Sequence, residues 1–234
     1  MINSDKGFAI AIDGPVGVGK STTARLVAEK LGMTYIDTGA MYRAVALHQI
    51  ELGAPLDDEK QLREAVKCIN ISLSNINGAL RVYLNGRDVT DAIRTQDVAN
   101  GSSMVAQHIS VRERLVALQR EMAAGKSVVM DGRDIGSNVL PNADVKIYLD
   151  ADIKTRAARR TSDLEEKGFP AEFQDILNET LIRDDRDKTR ENSPLIRTED
   201  AVYIDTGHMS ALEVAREIIR VAEQKGVKPC SLNS

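Results

Sequence analysis

The chain has 234 residues, with 31 Lys+Arg against 35 Asp+Glu for a net charge of −4, 42% hydrophobic residues and no tryptophan. Such values exclude fibrous, disordered and disulfide-rich classes. Without an overall basic field they also disfavour binding of a nucleic-acid polymer, so any phosphate ligand must be held locally.

A chain of this length hides roughly 70% of the surface that it exposes when unfolded. With aromatics at only 3%, the core is expected to be aliphatic. Cys68 and Cys230 lie far apart without a metal or disulfide pattern, which suggests reduced thiols, with Cys68 read as a core residue. The polar N-terminus lacks the basic start and apolar stretch of a signal peptide, and no apolar run reaches membrane-spanning length. The expectation is a cytoplasmic, soluble monomer that meets no membrane.

In chain order, short apolar runs at 8–12, 34–36, 127–130, 145–149 and 201–204 read as strands, each ending in Asp, Gly or a turn. Continuous apolar runs separated by helical patterns indicate a parallel sheet covered on both faces, hence an α/β fold with five parallel strands. Between 69 and 89 the pattern alternates instead. Ile71, Leu73, Leu80, Val82 and Leu84 flank Asn77-Gly78, a hairpin signal, and Asn85-Gly86 allows a third strand at 87–89. This antiparallel unit is expected to be an insert at 55–100, in a core made of 1–54, 101–153 and 195–234. The charged stretch 154–194, broken by Gly168-Phe169-Pro170, reads as a helical hairpin that closes as a lid. Helix 112–122 spaces Val111, Leu115 and Leu118 for core packing. His48, His108 and His208 share no ligand spacing, which favours structural roles.

Gly14-Pro15-Val16-Gly17-Val18-Gly19-Lys20-Ser21 matches the phosphate-loop pattern G-x-x-x-x-G-K-[ST] between the first strand and a helix at 21–31. The glycines let successive N–H groups face one anion, and the helix start adds its dipole. Lys20 supplies a point charge for the β and γ phosphates. Ser21 offers a hydroxyl to Mg²⁺, and Thr22 completes the ATP-binding set. Chance produces this pattern in about one chain in a hundred of this length, and its place between strand and helix lowers that further. No Asn-Lys-x-Asp guanine element is present, and motor and transport ATPases need larger assemblies. Phosphoryl transfer to a small acceptor is the reading that remains.

On the acceptor side, Asp37-Thr38-Gly39-Ala40-Met41-Tyr42-Arg43 follows the second strand, at the sheet edge where open α/β sheets bind ligands. As a plainer alternative, Asp37 and Thr38 simply cap a helix. Asp131-Gly132-Arg133-Asp134 follows the third run, placing Asp131 where it could hold Mg²⁺ through water.

The motifs GPVGVGKS, DTGAMYR, IRTQDVANGSSMVA, VRERL, MDGRDIGS and IRDDRDKTR occur in order over nearly the whole chain. Together they resemble the cytidylate kinase family of nucleoside monophosphate kinases. The resemblance implies transfer of phosphate from ATP to CMP or dCMP, with Mg²⁺. It also implies CMP contacts at Thr38, Tyr42, Arg43, Ser103, Arg112, Arg133, Asp134, Arg183, Asp187 and Arg190. Ser103, Arg112 and Asp134 resemble the positions that read the cytosine edge, and Asp187 the one that holds sugar hydroxyls. Arg43, Arg133 and Arg190 resemble phosphate ligands. Lys20, Arg133 and the lid arginines Arg156, Arg159 and Arg160 are the implied catalytic set. Thr38 stands where many relatives have Ser, and Met104 where Gln is expected. A kinase acting on UMP or shikimate, or a catalytically silent nucleotide-binding regulator, are the alternatives.

Two polyanions must be brought together, and arginine suits this because its planar fork gives phosphate two parallel bonds and does not deprotonate. Arg156, Arg159 and Arg160, at i, i+3 and i+4, share one helix face, a costly like-charge cluster unless an anion is near. Nearby Asp152, Asp163, Glu165 and Glu166 would also suit an ordinary exposed helix. Arg183, Asp187 and Arg190, at i, i+4 and i+7, likewise share one face, leaving Asp184, Asp185 and Arg186 to point elsewhere.

Overall fold

A computed structural model describes residues 7–76, 79–166 and 168–227. In chain order the elements are β1 (Ala9–Asp13), α1 (Lys20–Leu31), β2 (Thr34–Asp37), α2 (Thr38–Glu51), α3 (Glu59–Cys68), β3 (Ile71–Ile76), β4 (Ala79–Leu84) and β5 (Arg87–Asp88). There follow α4 (Gln96–Val105), α5 (Ile109–Ala123), β6 (Val128–Gly132), β7 (Val145–Asp150), α6 (Ile153–Glu166), α7 (Phe173–Thr189), β8 (Val202–Asp205) and α8 (Ala211–Gln224). The chain divides into two compact units. One holds the described residues up to Thr34 and those from Gly125 onward, and the other is Tyr35–Ala124.

All five apolar runs are strands of one parallel sheet in the order β2-β6-β1-β7-β8, with helices around it. Ile10, Ala11 and Ile12 are fully buried, as are Val129 and Met130, because these strands are covered on both faces and need no polar side. Strand β1 lies between β6 and β7, so the chain leaves it toward a point where the strand order diverges. Helix α8 buries Val214, Ala215, Ile218, Val221 and Ala222, an apolar stripe at helical spacing, and packs beside α1. A reciprocal cap between Ser210 and Glu213 starts it.

The expected hairpin at 154–194 is the antiparallel-packed pair α6 and α7, with Gly168 (φ 78°) in the connection, where its N–H donates to the carbonyl of Glu165 at 2.9 Å. Helix α7 exposes Leu181 and Ile182 while burying Asp184 and Asp187, an inversion of the usual pattern that marks the polar positions as the specialised ones.

In the second unit, β3, β4 and β5 form an antiparallel sheet with Ile71 opposite Leu84 and Leu73 opposite Val82. This register places the alternating apolar residues on one face, as the sequence pattern requires. Asn85 and Gly86 both have positive φ (51° and 82°), the conformation of a two-residue turn into β5. The Asn77-Gly78 turn and Cys230 lie outside the described residues. The unit's core joins Met41, Ala44 and Val45 of α2 to Leu62, Val66, Val98, Val111 and Leu115. One expectation is corrected: Cys68 is exposed, not a core residue, because the buried stripe of α3 is set by Leu62 and Val66 and position 68 falls off it. No helix among the described residues is long and apolar enough to cross a membrane.

Gly14 (φ 149°) follows β1 so closely against β7 that an added Cβ would stand 2.1 Å from the carbonyl oxygen of Leu149. Gly14→Ala is therefore expected to cost about 3 kcal/mol or more in urea unfolding, since the clash is with backbone inside the sheet. A loss below about 1 kcal/mol would show that the loop leaves β1 along another path.

Candidate active site

The first unit contains the complete phosphate loop between β1 and α1. Lys20, the first residue of α1, is buried, and its Nζ donates to the carbonyl of Pro15 at 2.6 Å. Burial, joined by the charge of Arg133, holds this ammonium well below its ordinary 10.5, a strain that a nearby anion relieves. Ser21 Oγ donates to Asp131 Oδ2 at 2.9 Å. A hydroxyl and a carboxylate in contact beside loop N–H groups fit a hard divalent cation whose other ligands are phosphate oxygens and water. The described residues contain no group of three His, Cys, Asp or Glu that could hold a metal by itself.

Behind the loop, Gly17, Val18, Gly19, Thr22 and Thr23 form one wall of a cavity of about 330 Å³. Arg159, Asp163 and the segment from Thr206 to Ala211 form the other. Thr206, the residue after β8, donates to the carbonyl of Val18 at 3.3 Å and of Asp150 at 3.1 Å. Arg159 in turn donates to the carbonyls of Thr206 and Gly207.

Three further pairs of charges in this unit are held under cover. Arg133 meets Asp187 at 2.6 Å, and Arg190 meets Asp134 at 3.3 Å. Arg156 meets Asp184 at 2.7 Å, with both side chains below a tenth exposed. Burial works against the charge of Arg133, but Asp187, joined by Asp131 and Asp184, raises its pKa, while the carboxyl of Asp187, despite burial, is held below its usual 3.8 chiefly by Arg133 and Arg183. The like-charge face of α6 is thus relieved by protein acceptors: a carboxylate of α7 for Arg156 and backbone carbonyls for Arg159. Arg160 and Arg183 sit half-buried on α6 and α7.

In the second unit, Asp37 caps α2 by accepting from the N–H of Ala40 at 2.8 Å, and it also accepts from Arg43 at 3.0 Å. Capping and ligand presentation are compatible, because the cap fixes the helix from which Thr38, Tyr42 and Arg43 project. The guanidinium of Arg112, on α5, lies 5.8 Å from the ring centre of Tyr42 and donates to the carbonyl of Ala106 at 3.4 Å. Ser103, on α4, is buried with a hydroxyl that has no hydrogen-bond partner in the structure. Such an atom is costly to bury and suits a polar ligand.

Three residues that tie the site together escaped the sequence reading. Asp13, the last residue of β1, is buried and accepts from the N–H groups of Ile135 and Gly136, each at 2.8 Å, tying the start of the phosphate loop to the segment after Asp134. Asp184 and Thr206 are the others. Their only sequence signal is an Asp or Asp-Thr at a strand end or inside a charged helix, which does not name a partner.

A family model described as "Cytidylate kinase" matches residues 10–224. The cytidylate kinase of Bacillus subtilis (strain 168) is 47% identical over 221 residues, 94% of this chain and 99% of that protein. That of Lysinibacillus sphaericus (strain C3-41) is 45% identical over 94% of this chain and 98% of that protein. Among solved structures, a shikimate kinase from Acinetobacter baumannii has a TM-score of 0.46 and 17% identity, covering 96% of this chain and 97% of that one.

Burial pushes the carboxyl of Asp13 from 3.8 up to about 6, with the two N–H donors opposing it. The folded chain therefore holds this proton more tightly than the unfolded chain. The resulting stability is full below about pH 4 and is lost as pH rises through about 6, a change of about 3 kcal/mol. Asp13→Asn has no such titration. Relative to that variant, the wild type is expected to lose about 3 kcal/mol between about pH 4 and about pH 7 in urea unfolding. Parallel pH dependences for the two proteins would place the titration elsewhere.

Proposed function

The chain belongs to the cytidylate kinase family, and from that premise we propose that it transfers the γ-phosphoryl group of ATP to CMP and dCMP. It is an enzyme, a nucleoside monophosphate kinase. The observation that carries the reading is the phosphate loop with Lys20 beside the Ser21–Asp131 contact, in a chain whose relatives match it over nearly their full length.

In this reading the N–H groups of the loop from Gly14 to Gly19 and the ammonium of Lys20 hold the donor phosphates. The cavity bounded by Thr22 and Thr206 takes the nucleoside of ATP. Ser21, with Asp131 through water, would hold Mg²⁺, which supplies charge neutralisation and a template for the phosphate oxygens. CMP's phosphate has a second pKa of about 6 and is largely a dianion at neutral pH, so the attacking oxygen needs no strong base. Repulsion is the barrier to be lowered. Arg133, Arg43 and Arg190 neutralise the acceptor phosphate, and the lid arginines Arg156, Arg159 and Arg160 the group in flight. As the acceptor phosphate takes over Arg133, Asp187 is released toward the sugar hydroxyls, with Arg183 beside it. Ser103, Arg112 and Asp134 read the cytosine edge, with Thr38 and Tyr42 completing the contact. Helices α6 and α7 act as a lid that excludes water, against which ATP would otherwise be lost to hydrolysis. The protein works as a cytoplasmic monomer on free nucleotides.

A coupled assay of ADP release across CMP, dCMP, UMP, AMP and shikimate is expected to give the highest kcat/KM with CMP or dCMP. Equal rates on AMP and CMP would overturn the acceptor assignment. Lys20→Ala should lower kcat by about a hundredfold or more, the scale of losing a main transition-state charge contact. Arg112→Ala should raise KM for CMP while leaving KM for ATP within about twofold. Equal changes in both would remove Arg112 from base recognition.

A further inference from the structure

We infer that Asp184 is a positioning residue that, through Arg156, ties helix α7 to the phosphate loop and so couples occupation of the loop to the set of the α7 ligands. This rests on the kinase reading above and adds to it a residue that the reading does not use. Each nitrogen of Arg156 is spoken for by a different segment. Nε donates to the carbonyl of Ala151 at 2.9 Å, just past β7. Nη1 donates to the carbonyl of Val16, inside the phosphate loop, at 3.2 Å. Nη2 meets Asp184 Oδ2, on α7, at 2.7 Å. One rigid planar group therefore spans sheet, loop and lid.

The loop also rests on the same residue from the other side. A Cβ added at Gly17 (φ 81°) would stand 2.9 Å from the carbonyl oxygen of Arg156 and 3.0 Å from its Cβ. The loop thus cannot shift without moving Arg156. Arg156 in turn cannot move without breaking or carrying its bond to Asp184, because a buried guanidinium has no water to take over. Asp184 stands one residue from Arg183 and three from Asp187, so any displacement that it transmits reaches the α7 residues assigned to CMP. Its second oxygen, Oδ1, is buried without a hydrogen-bond partner. The contact with Arg156 is therefore what holds this carboxylate in place.

The test is a binding cycle on the full chain: Kd for CMP by calorimetry with and without a non-hydrolysable imido analogue of ATP, for wild type, Asp184→Asn and Arg156→Lys. The wild type is expected to bind CMP at least fivefold more tightly when the analogue is present, a usual size for coupling between sites. Asp184→Asn keeps the shape but drops the charge, and should bring that ratio to within twofold of one, with analogue affinity changed less than about threefold. Should Asp184→Asn fail to fold, Arg156→Lys decides, since an ammonium reaches only one of the three acceptors and should lose the ratio equally. A ratio preserved in the folded variants, or no coupling in the wild type, overturns the inference while CMP turnover still supports the kinase reading. Absence of CMP turnover in the wild type overturns both.

Discussion

A site that brings two polyanions together needs positive charge held under cover, and buried charge is tolerated only where an opposite charge or a set of hydrogen bonds faces it. The pairs Arg133–Asp187, Arg190–Asp134 and Arg156–Asp184 meet that constraint, and their carboxylates come from the segment just after β6 or from α7. The architecture follows. The sheet delivers Asp131 and Arg133 at the end of β6, and the hairpin brings α7 over them with Asp184 and Asp187 turned inward against the usual polarity of a surface helix. Arginine is the cation throughout, since its nitrogens serve several acceptors at once. Arg156 and Arg159 show this in binding backbone carbonyls as well as side chains. Lys20 is the exception, a point charge aimed along the loop.

The second unit holds its buried polar groups on different terms. Ser103 has a buried hydroxyl without a hydrogen-bond partner, which carries a desolvation cost, and Arg112 is enclosed beside the ring of Tyr42.

What was legible in the sequence was local. The five strands are unbroken apolar runs, and the phosphate loop is contiguous, so chemistry and position could be read together. The hairpin of β3 and β4 was visible for the same reason, its alternation matching the observed register of Ile71 with Leu84. Partnerships across the chain were not legible. The acids near Arg156 in sequence suggested no more than an ordinary exposed helix, yet Asp152 accepts from the N–H of Thr155 and the partner of Arg156 is Asp184 on the next helix. Asp13 looked like a strand end, and only the fold reveals two N–H groups facing it from 122 and 123 residues away. Cys68 was misjudged because its burial depends on the phase of one short helix.

The hydrogen bond from Thr206 to Val18 joins residues 188 apart, and Arg156 reaches Val16 over 140 and Asp131 meets Ser21 over 110. The phosphate loop is thus held by segments that lie far from it along the chain, from the end of β6 to the residue after β8. Contacts of such high sequence separation form only with the tertiary fold, so the shape of the loop is a property of the closed sheet and not of its own eight residues. The motif can therefore be read in eight residues, but the site that it forms belongs to the whole sheet, as far as the residue after β8.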